Sequence, residues 1–500
     1  MEHELELKLR LSDEAASRLA RQPAIKHALV GTPRTTRLLT VYYDTPDNLL
    51  ARQGMALRVR HVGRRRIQTL KVAADGHDGE ALQRHDEWSA SIQGDLPDLT
   101  RLGHPRMRDR LAREGGLGGL REVFRTEIKR RTFPLTVGDA RIELVLDSGW
   151  IRAGDGSEKI SEVELELKTG SPSAIFDLAS RLVAELPMHV EHRTKAGRGY
   201  ALAEGRGPQP AMAGALELDA EWSAWRGFVA IVRNCLEQLY ANEVAVLAGS
   251  EVEAVHQLRV AVRRMRAAYS AFGRVLPAGA LAPFKAELRW LQQTLGPARD
   301  WDVFIAETLA PLRAAIGDHA GLAALAGAAE EARQAAYAQV RSTLGSQRYA
   351  LFQMNLERWL GTDGAESGAM KLSTFGKRTL AKRDRKVLGT DRKIGELTDE
   401  TLHDVRIAAK NARYNAEFFR SLFTRKATKR YIRALRDVQD CLGALNDAAV
   451  AKVLLDAVDG ADPGALSYVN GWFAARIVDG KRRIGDVWEE YRRAPRFWAD

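Results

Sequence analysis

Cysteine is nearly missing: Cys235 and Cys441 are the only two in 500 residues, and neither sits in a CxxC pair or beside a cluster of histidines. That argues against a disulfide framework and fits a reducing compartment. No run approaches the roughly 18 uninterrupted apolar residues of a membrane span, so no membrane association is expected. The opening stretch Met1-Glu-His-Glu-Leu-Glu has neither a basic nor an apolar segment. No secretory signal is expected from it, and the cytoplasm is the expected location. Patterns for P-loop hydrolases, H-E-x-x-H metalloproteases and G-x-S-x-G esterases are also missing. Acid is the scarcer sign of charge, with 65 Asp and Glu against 76 Lys and Arg, a formal net charge of +11. The excess favours polyanionic partners without choosing among them.

What is present is an ordinary soluble composition, 45% hydrophobic and 28% charged, in a chain long enough for two or three domains. Its character changes near residue 205. Before that point, short runs alternate with a period near two: Leu5-Glu-Leu-Lys-Leu, Ala56-Leu-Arg-Val-Arg, Ile67-Gln-Thr-Leu-Lys-Val and Arg141-Ile-Glu-Leu-Val-Leu-Asp. Alternation of this kind predicts strands. After it, Ala- and Leu-rich segments with i, i+3, i+4 apolar spacing predict helices. Glu204-Gly-Arg-Gly-Pro-Gln-Pro-Ala-Met-Ala-Gly has linker composition, and Gly361-Thr-Asp-Gly-Ala-Glu-Ser-Gly interrupts the helical part. The expected organisation is a β-rich domain over 1–203, a linker over 204–214, and an all-α domain over 215–500. Its halves are expected at about 215–360 and 370–500.

The strands carry charge on one face. Glu4, Glu6 and Lys8 share a face, as do Glu162, Glu164, Glu166 and Lys168, Arg58 and Arg60, and Glu143 and Asp147. A half-exposed sheet explains one such strand. Rows of both signs on most strands fit a closed barrel with a polar interior better. Carboxylates converging there would repel unless a divalent cation neutralised them, and oxygen-only ligands suit Mg²⁺ or Mn²⁺ rather than zinc. Arg and Lys on the other walls suit a phosphate chain.

Glu4-Leu-Glu-Leu-Lys8 resembles the ExExK signature of the CYTH family, the triphosphate tunnel metalloenzymes. Tyr43-Asp44-Thr45, Arg58 and Arg60, Thr69-Leu-Lys71, Thr126 with Arg130, Glu143 with Asp147, Glu162-Val-Glu164 and Thr194-Lys195-Ala-Gly-Arg198-Gly-Tyr200 follow in the family's order. The resemblance implies an eight-stranded antiparallel β tunnel with flanking helices, and hence an α+β chain. It implies Glu4, Glu6, Asp147, Glu162 and Glu164 as ligands to one or two divalent cations. Lys8, Arg58, Arg60, Lys71, Arg130 and Lys195 would grip the phosphates, with Glu166 and Arg198 in supporting places. One strand departs from the pattern: the family's Arg-x-Glu-aromatic reads Arg84-His-Asp-Glu87-Trp88 here. Either a bulge or His85 in the Arg position would restore it.

The helical part contains a duplication. His256, Arg259, Arg263 and Arg266 follow H-x2-R-x3-[RK]-x2-R, as do His403, Arg406, Lys410 and Arg413. Gly296 lies 40 residues after His256 and Asp300 lies 44 after it, and Gly443 and Asp447 keep both spacings from His403. At about 100° per residue the four stripe positions fall within an arc of about 80°. Leu258, Val262, Met265 and Tyr269 fall on a separate apolar face. The edge is expected to lack i,i+4 acid–base pairs, so an anion is needed to relieve its repulsion. Interleaved aromatics for base stacking are missing, which argues against nucleic acid.

This repeat resembles the CHAD domain, which implies two four-helix bundles with pseudo-twofold symmetry. Those eight stripe residues would bind inorganic polyphosphate. Together the resemblances imply metal-dependent hydrolysis of inorganic triphosphate, with the helical domain holding the enzyme near polyphosphate granules. A non-catalytic polyphosphate-binding protein and a class IV-type adenylyl cyclase share the same motifs.

Overall fold

The computed structural model describes residues 2–73, 82–113, 119–249, 252–277, 279–361, 370–389, 394, 397–458 and 460–499. The chain forms two compact units. The first comprises residues 1–209 with 343–362, and the second comprises 210–342 with 363–500.

The first unit is built on nine strands: β1 (Glu2–Leu11), β2 (Arg34–Asp44), β3 (Met55–Val62), β4 (Arg65–Ala73), β5 (Leu82–Ile92), β6 (Arg121–Val137), β7 (Ala140–Ala153), β8 (Gly156–Thr169) and β9 (Met188–Val190). Their order is β5-β4-β3-β2-β6-β7-β8-β1-β9, and β5 also pairs with β1. Eight antiparallel strands therefore close on themselves, as the CYTH resemblance implied and the charged rows of both signs suggested. The short β9 is an addition, pairing with β1 at Leu9–Leu11 beyond the end of its pairing with β5.

Closure decides which way the alternating residues face. Leu7, Leu9, Leu144, Val163 and Leu165 point outward into a core completed by helices Asp13–Leu19 and Ser173–Glu185. Their charged neighbours point inward and are also buried: Glu6 is 5% exposed, Lys8 4%, Asp147 0%, Glu162 1% and Glu164 9%. A half-exposed sheet would have left these charges in water.

Helix Gln347–Leu360 was expected in the first helical half but lies in the first unit. Ala350 and Met354 enter the outer core, and Arg358 pairs with Asp177 at 2.5 Å. The chain thus leaves the first unit after residue 209, returns at 343 and leaves again after 362.

The second unit is all helical. Helices Ala224–Ala248, Val252–Phe272, Ala282–Phe304 and Ala320–Leu344 are followed by Leu372–Leu388, Asp399–Phe418, Arg425–Cys441, Gly443–Asp456 and Pro463–Arg493. The stripe helices Val252–Phe272 and Asp399–Phe418 are second in each series and pack against one another. A five-residue π-helical segment, Ile305–Leu309, joins Ala282–Phe304 to the short helix Ala310–Ile316. Among the described residues, no helix is long and apolar enough to cross a membrane.

Candidate active site in the tunnel and candidate polyanion groove

The tunnel encloses a cavity of about 490 Å³ lined by Lys8, Arg58, Arg60, Lys71, Arg130 and Lys195 together with Glu6, Glu87, Glu164 and Glu166. All six cations expected from the sequence reach it. β3 supplies Arg58 and Arg60, two residues apart and so on one face. Their mutual repulsion, with burial and Arg130, draws Arg60 down to about 9, so it remains charged at neutral pH. Arg60 donates to Thr40 Oγ1 at 3.3 Å.

Opposite them lies a carboxylate cluster. Asp147 on β7 and Glu162 and Glu164 on β8 each offer an oxygen, and these oxygens lie within 4.8 Å of one another. Burial alone would raise Asp147 and Glu164. It is outweighed by Lys195 and Arg130, which hold both below the usual carboxylate range. Arg130 grips Asp147 in a fork at 2.8 and 2.7 Å and reaches Glu164 at 3.0 Å. Lys195 Nζ contacts all three acids, Asp147 at 2.8 Å, Glu162 at 2.5 Å and Glu164 at 2.8 Å.

Lys195 was expected to grip the phosphates; it lines the cavity, and its ammonium sits among the acids. Three buried carboxylates with no cation between them would be very unfavourable, and Lys195 is the cation that reaches all three. The cluster nonetheless suits a hard divalent cation: it is compact, buried and built from oxygen alone. Glu6 sits nearby, paired with Lys8 at 2.9 Å. Burial raises its carboxyl, but Lys8 and Lys71 outweigh this and bring it to about 2. The backbone of Glu4 pairs with His85, and its side chain lies outside the described residues.

Lys195 opens helix Lys195–Ala203, capped by Thr194, whose hydroxyl accepts from Gly197 N. The helix lies close against β6, where a Cβ at Gly199 would meet the Phe124 ring at 2.2 Å. Tyr200 donates to Asp44 Oδ2 at 2.9 Å, and Asp44 also accepts the amides of Leu50 and Ala51. Asp44 therefore ties helix Leu49–Arg52 to helix Lys195–Ala203 and is not among the residues lining the cavity. Arg198 pairs with Glu162 at 2.8 Å and Glu158 at 2.9 Å, supporting the acids from behind.

The second unit brings the two stripes together. Burial comes first, then Arg263, Arg406, Arg259 and Arg413, in drawing Lys410 down to about 8. Arg263 is thus felt across the repeat, and its Nε is buried without a hydrogen bond among the described residues. Arg259 is steadied by Asp300 at 3.2 Å and by the Gly296 carbonyl at 2.6 Å. Asp447, at the equivalent place, acts on Arg406. The duplicated Gly-x-x-x-Asp thus holds the first arginine in the first copy and lies within electrostatic reach of it in the second. Arg266 donates to Gln292, and Arg413 to Gln439 at 3.2 Å. Burial and nearby cations draw His256 down to about 4, so it is neutral at pH 7, while His403 is exposed. The expectation of no i,i+4 acid–base pair fails in the second copy, where Arg413 meets Glu417 at 2.6 Å.

The family description CYTH domain matches residues 2–200, and the description CHAD domain matches residues 230–456. A solved CHAD domain from the plant Ricinus communis is 32% identical, covering 58% of this chain and 99% of that one at a TM-score of 0.50. The chain is a CYTH–CHAD protein. An inorganic triphosphatase from Haemophilus influenzae is 29% identical over 235 residues, 46% of this chain and 60% of that protein. The match thus spans less than two thirds of that relative's length. A Hippeastrum protein, titled an adenylyl cyclase candidate with dominant triphosphatase activity, is 21% identical over 41% of this chain and 96% of that one, at a TM-score of 0.30.

Two CYTH-domain residues were missing from the expected site: Glu87, noted on the departing strand but not assigned a role, and Tyr42, which was not singled out. Glu87 lines the cavity, 3.3 Å from Lys71 and 3.7 Å from Arg58. β5 pairs with β4 without a register shift, so no bulge is needed there. The side chains of Arg84 and His85 lie outside the described residues. Tyr42 also faces the cavity and stacks on Phe124 at 4.3 Å. Its alternation with Thr40 was the available signal. In the CHAD domain, Asp300 was noted for its spacing but not for Arg259, which it pairs with.

Proposed function

We propose that the CYTH domain hydrolyses the terminal phosphate of inorganic triphosphate with Mg²⁺ or Mn²⁺, and that the CHAD domain binds inorganic polyphosphate. The observation carrying the first reading is the burial of six cations and a cluster of carboxylates around the cavity of one closed tunnel. Such a lining suits phosphoryl transfer, where charge stabilisation and positioning do most of the work. Asp147, Glu162 and Glu164, with Glu6 and Glu4 from β1, are the proposed metal ligands. The metal would supply charge neutralisation and a more acidic bound water. Arg58 and Arg60 would hold phosphate oxygens by their planar forks, and Lys8 and Lys71 as point charges. Arg130, already forked onto Asp147, would keep the acids aligned beside the phosphate.

The Haemophilus influenzae relative supports this reading, and the stripe of six cations and two histidines supports the polyphosphate one. The test is phosphate release from triphosphate, thiamine triphosphate, ATP and long-chain polyphosphate, with and without divalent metal. Release from triphosphate only with metal, reduced at least ~100-fold in Glu164→Gln, is the expected result. Pyrophosphate release from ATP in its place would assign the tunnel to cyclisation. Full turnover in Glu4→Gln and Glu164→Gln would remove the site assignment.

A further inference from the structure

Helix Arg425–Cys441 carries a cationic face that its packing does not require. Arg425, Lys426, Lys429, Arg430, Arg433 and Arg436 are all exposed. At about 100° per residue they fall within an arc of about 140° and extend for about 16 Å. No acidic residue occurs between Arg425 and Arg436. Acid enters only near the helix end, where Arg433 reaches Asp437 at 3.9 Å. Two of the cations occupy the first turn, where the helix dipole disfavours positive charge.

The duplication provides a control within the same chain. His256 and His403, Arg259 and Arg406, and Gly296 and Gly443 are each 147 residues apart. At that offset the buried Tyr431, Leu435 and Val438 match the buried Phe284, Leu288 and Leu291, so the two helices pack alike. Yet Lys429, Arg430 and Arg433 match Ala282, Pro283 and Ala286, and Arg425 and Lys426 match Ala278 and Gly279. Only Arg436 has a cationic counterpart, Arg289. The first copy folds with uncharged residues at five of these six places. A row of like charges that packing does not need is disfavoured unless an anion lies along it.

The face is continuous with the stripe. Arg413, the last stripe residue of the second copy, donates to Gln439 on this same helix at 3.2 Å. Arg413 and Arg436 both act on the Asp440 carboxylate. We propose that this face is a lane onto which the polyphosphate chain held by the stripe continues, engaged only by chains long enough to pass Arg413. The proposal rests on reading the stripe as a polyphosphate site.

The test uses the full chain in a chelator, so that the tunnel cannot consume the ligand, and size-fractionated polyphosphate in short and long pools. Lys429→Ala/Arg430→Ala/Arg433→Ala changes exposed residues to a good helix former, and circular dichroism checks the fold. The variant is expected to lose about tenfold in affinity for the long pool and to keep its affinity for the short one. Equal affinity of variant and wild type for long chains would overturn the lane. So would a loss confined to single-stranded RNA or anionic vesicles, which would assign the face to another polyanion. Wild type binding neither pool would remove the stripe reading itself, and the short-pool arm separates that failure from failure of the lane alone.

Discussion

Lys195 shows how a buried site manages charge at the scale of one residue. Its ammonium satisfies Asp147, Glu162 and Glu164 at once, and those acids in turn raise its own affinity for a proton well above the usual lysine value. Lys195→Met leaves three buried carboxylates short of a cation. It is expected to lower stability by ~3–5 kcal/mol in metal-free thermal denaturation. Adding Mn²⁺ is expected to recover more stability in the variant than in wild type, and equal gains would deny the acids a metal role. Lys410 is the counterpart in the groove. Below about 8 it is charged and above that it is neutral. Polyphosphate affinity is therefore expected to fall between pH 7 and 9, and Lys410→Arg, which stays charged, should flatten that step. Because the folded value lies below the free value of 10.5, the unfolded chain binds the extra proton between about 8 and 10.5. In that window Lys410 makes the ligand-free protein more stable as pH rises.

Elements determine whether those residues meet. Helix Lys195–Ala203 brings Lys195 to the acids only because Gly199 permits contact with Phe124. Gly199→Val must lift the helix, and is expected to cut triphosphate turnover while leaving polyphosphate affinity at the groove unchanged. Helix Gln347–Leu360 makes a similar point for stability. Met354, fully buried in the outer core, replaced by Asp would bury an unpaired charge. A loss of roughly 3 kcal/mol or more in the first unfolding transition is expected. An unchanged transition would mean that this helix does not support the tunnel unit. The tunnel strands were legible in the sequence because closure imposes a period of two on both faces: Leu5-Glu-Leu-Lys-Leu shows the pattern without any partner. The stripe was legible because duplication repeats spacing as well as residue type. Helix Gln347–Leu360 was not, since Ala350, Leu351 and Met354 have the amphipathic spacing of any bundle helix. The partners that claim them lie around Ser173–Glu185, far away in sequence. Lys195's place among the acids was illegible for a related reason: its cationic type suits phosphate and carboxylate alike, and only the tunnel geometry chooses.

At the scale of the whole molecule, two modules use one principle at different depths. The tunnel holds its acids behind low-dielectric walls, whereas most stripe residues are half-buried and the cations of the neighbouring helix face are exposed. Salt screens the second far more than the first, with a Debye length of about 10 Å at 0.1 M and about 3 Å at 1 M. Raising ionic strength is therefore expected to weaken polyphosphate binding well before it alters the KM for triphosphate. The most direct test of the account is a crystal structure with Mn²⁺ and tripolyphosphate, using anomalous scattering to locate the metal. The account expects a manganese peak bounded by Asp147, Glu162 and Glu164, with phosphate density against Arg58, Arg60 and Lys71. Manganese and phosphate found only on the outer surface, with Lys195 still seated among the three acids, would contradict it.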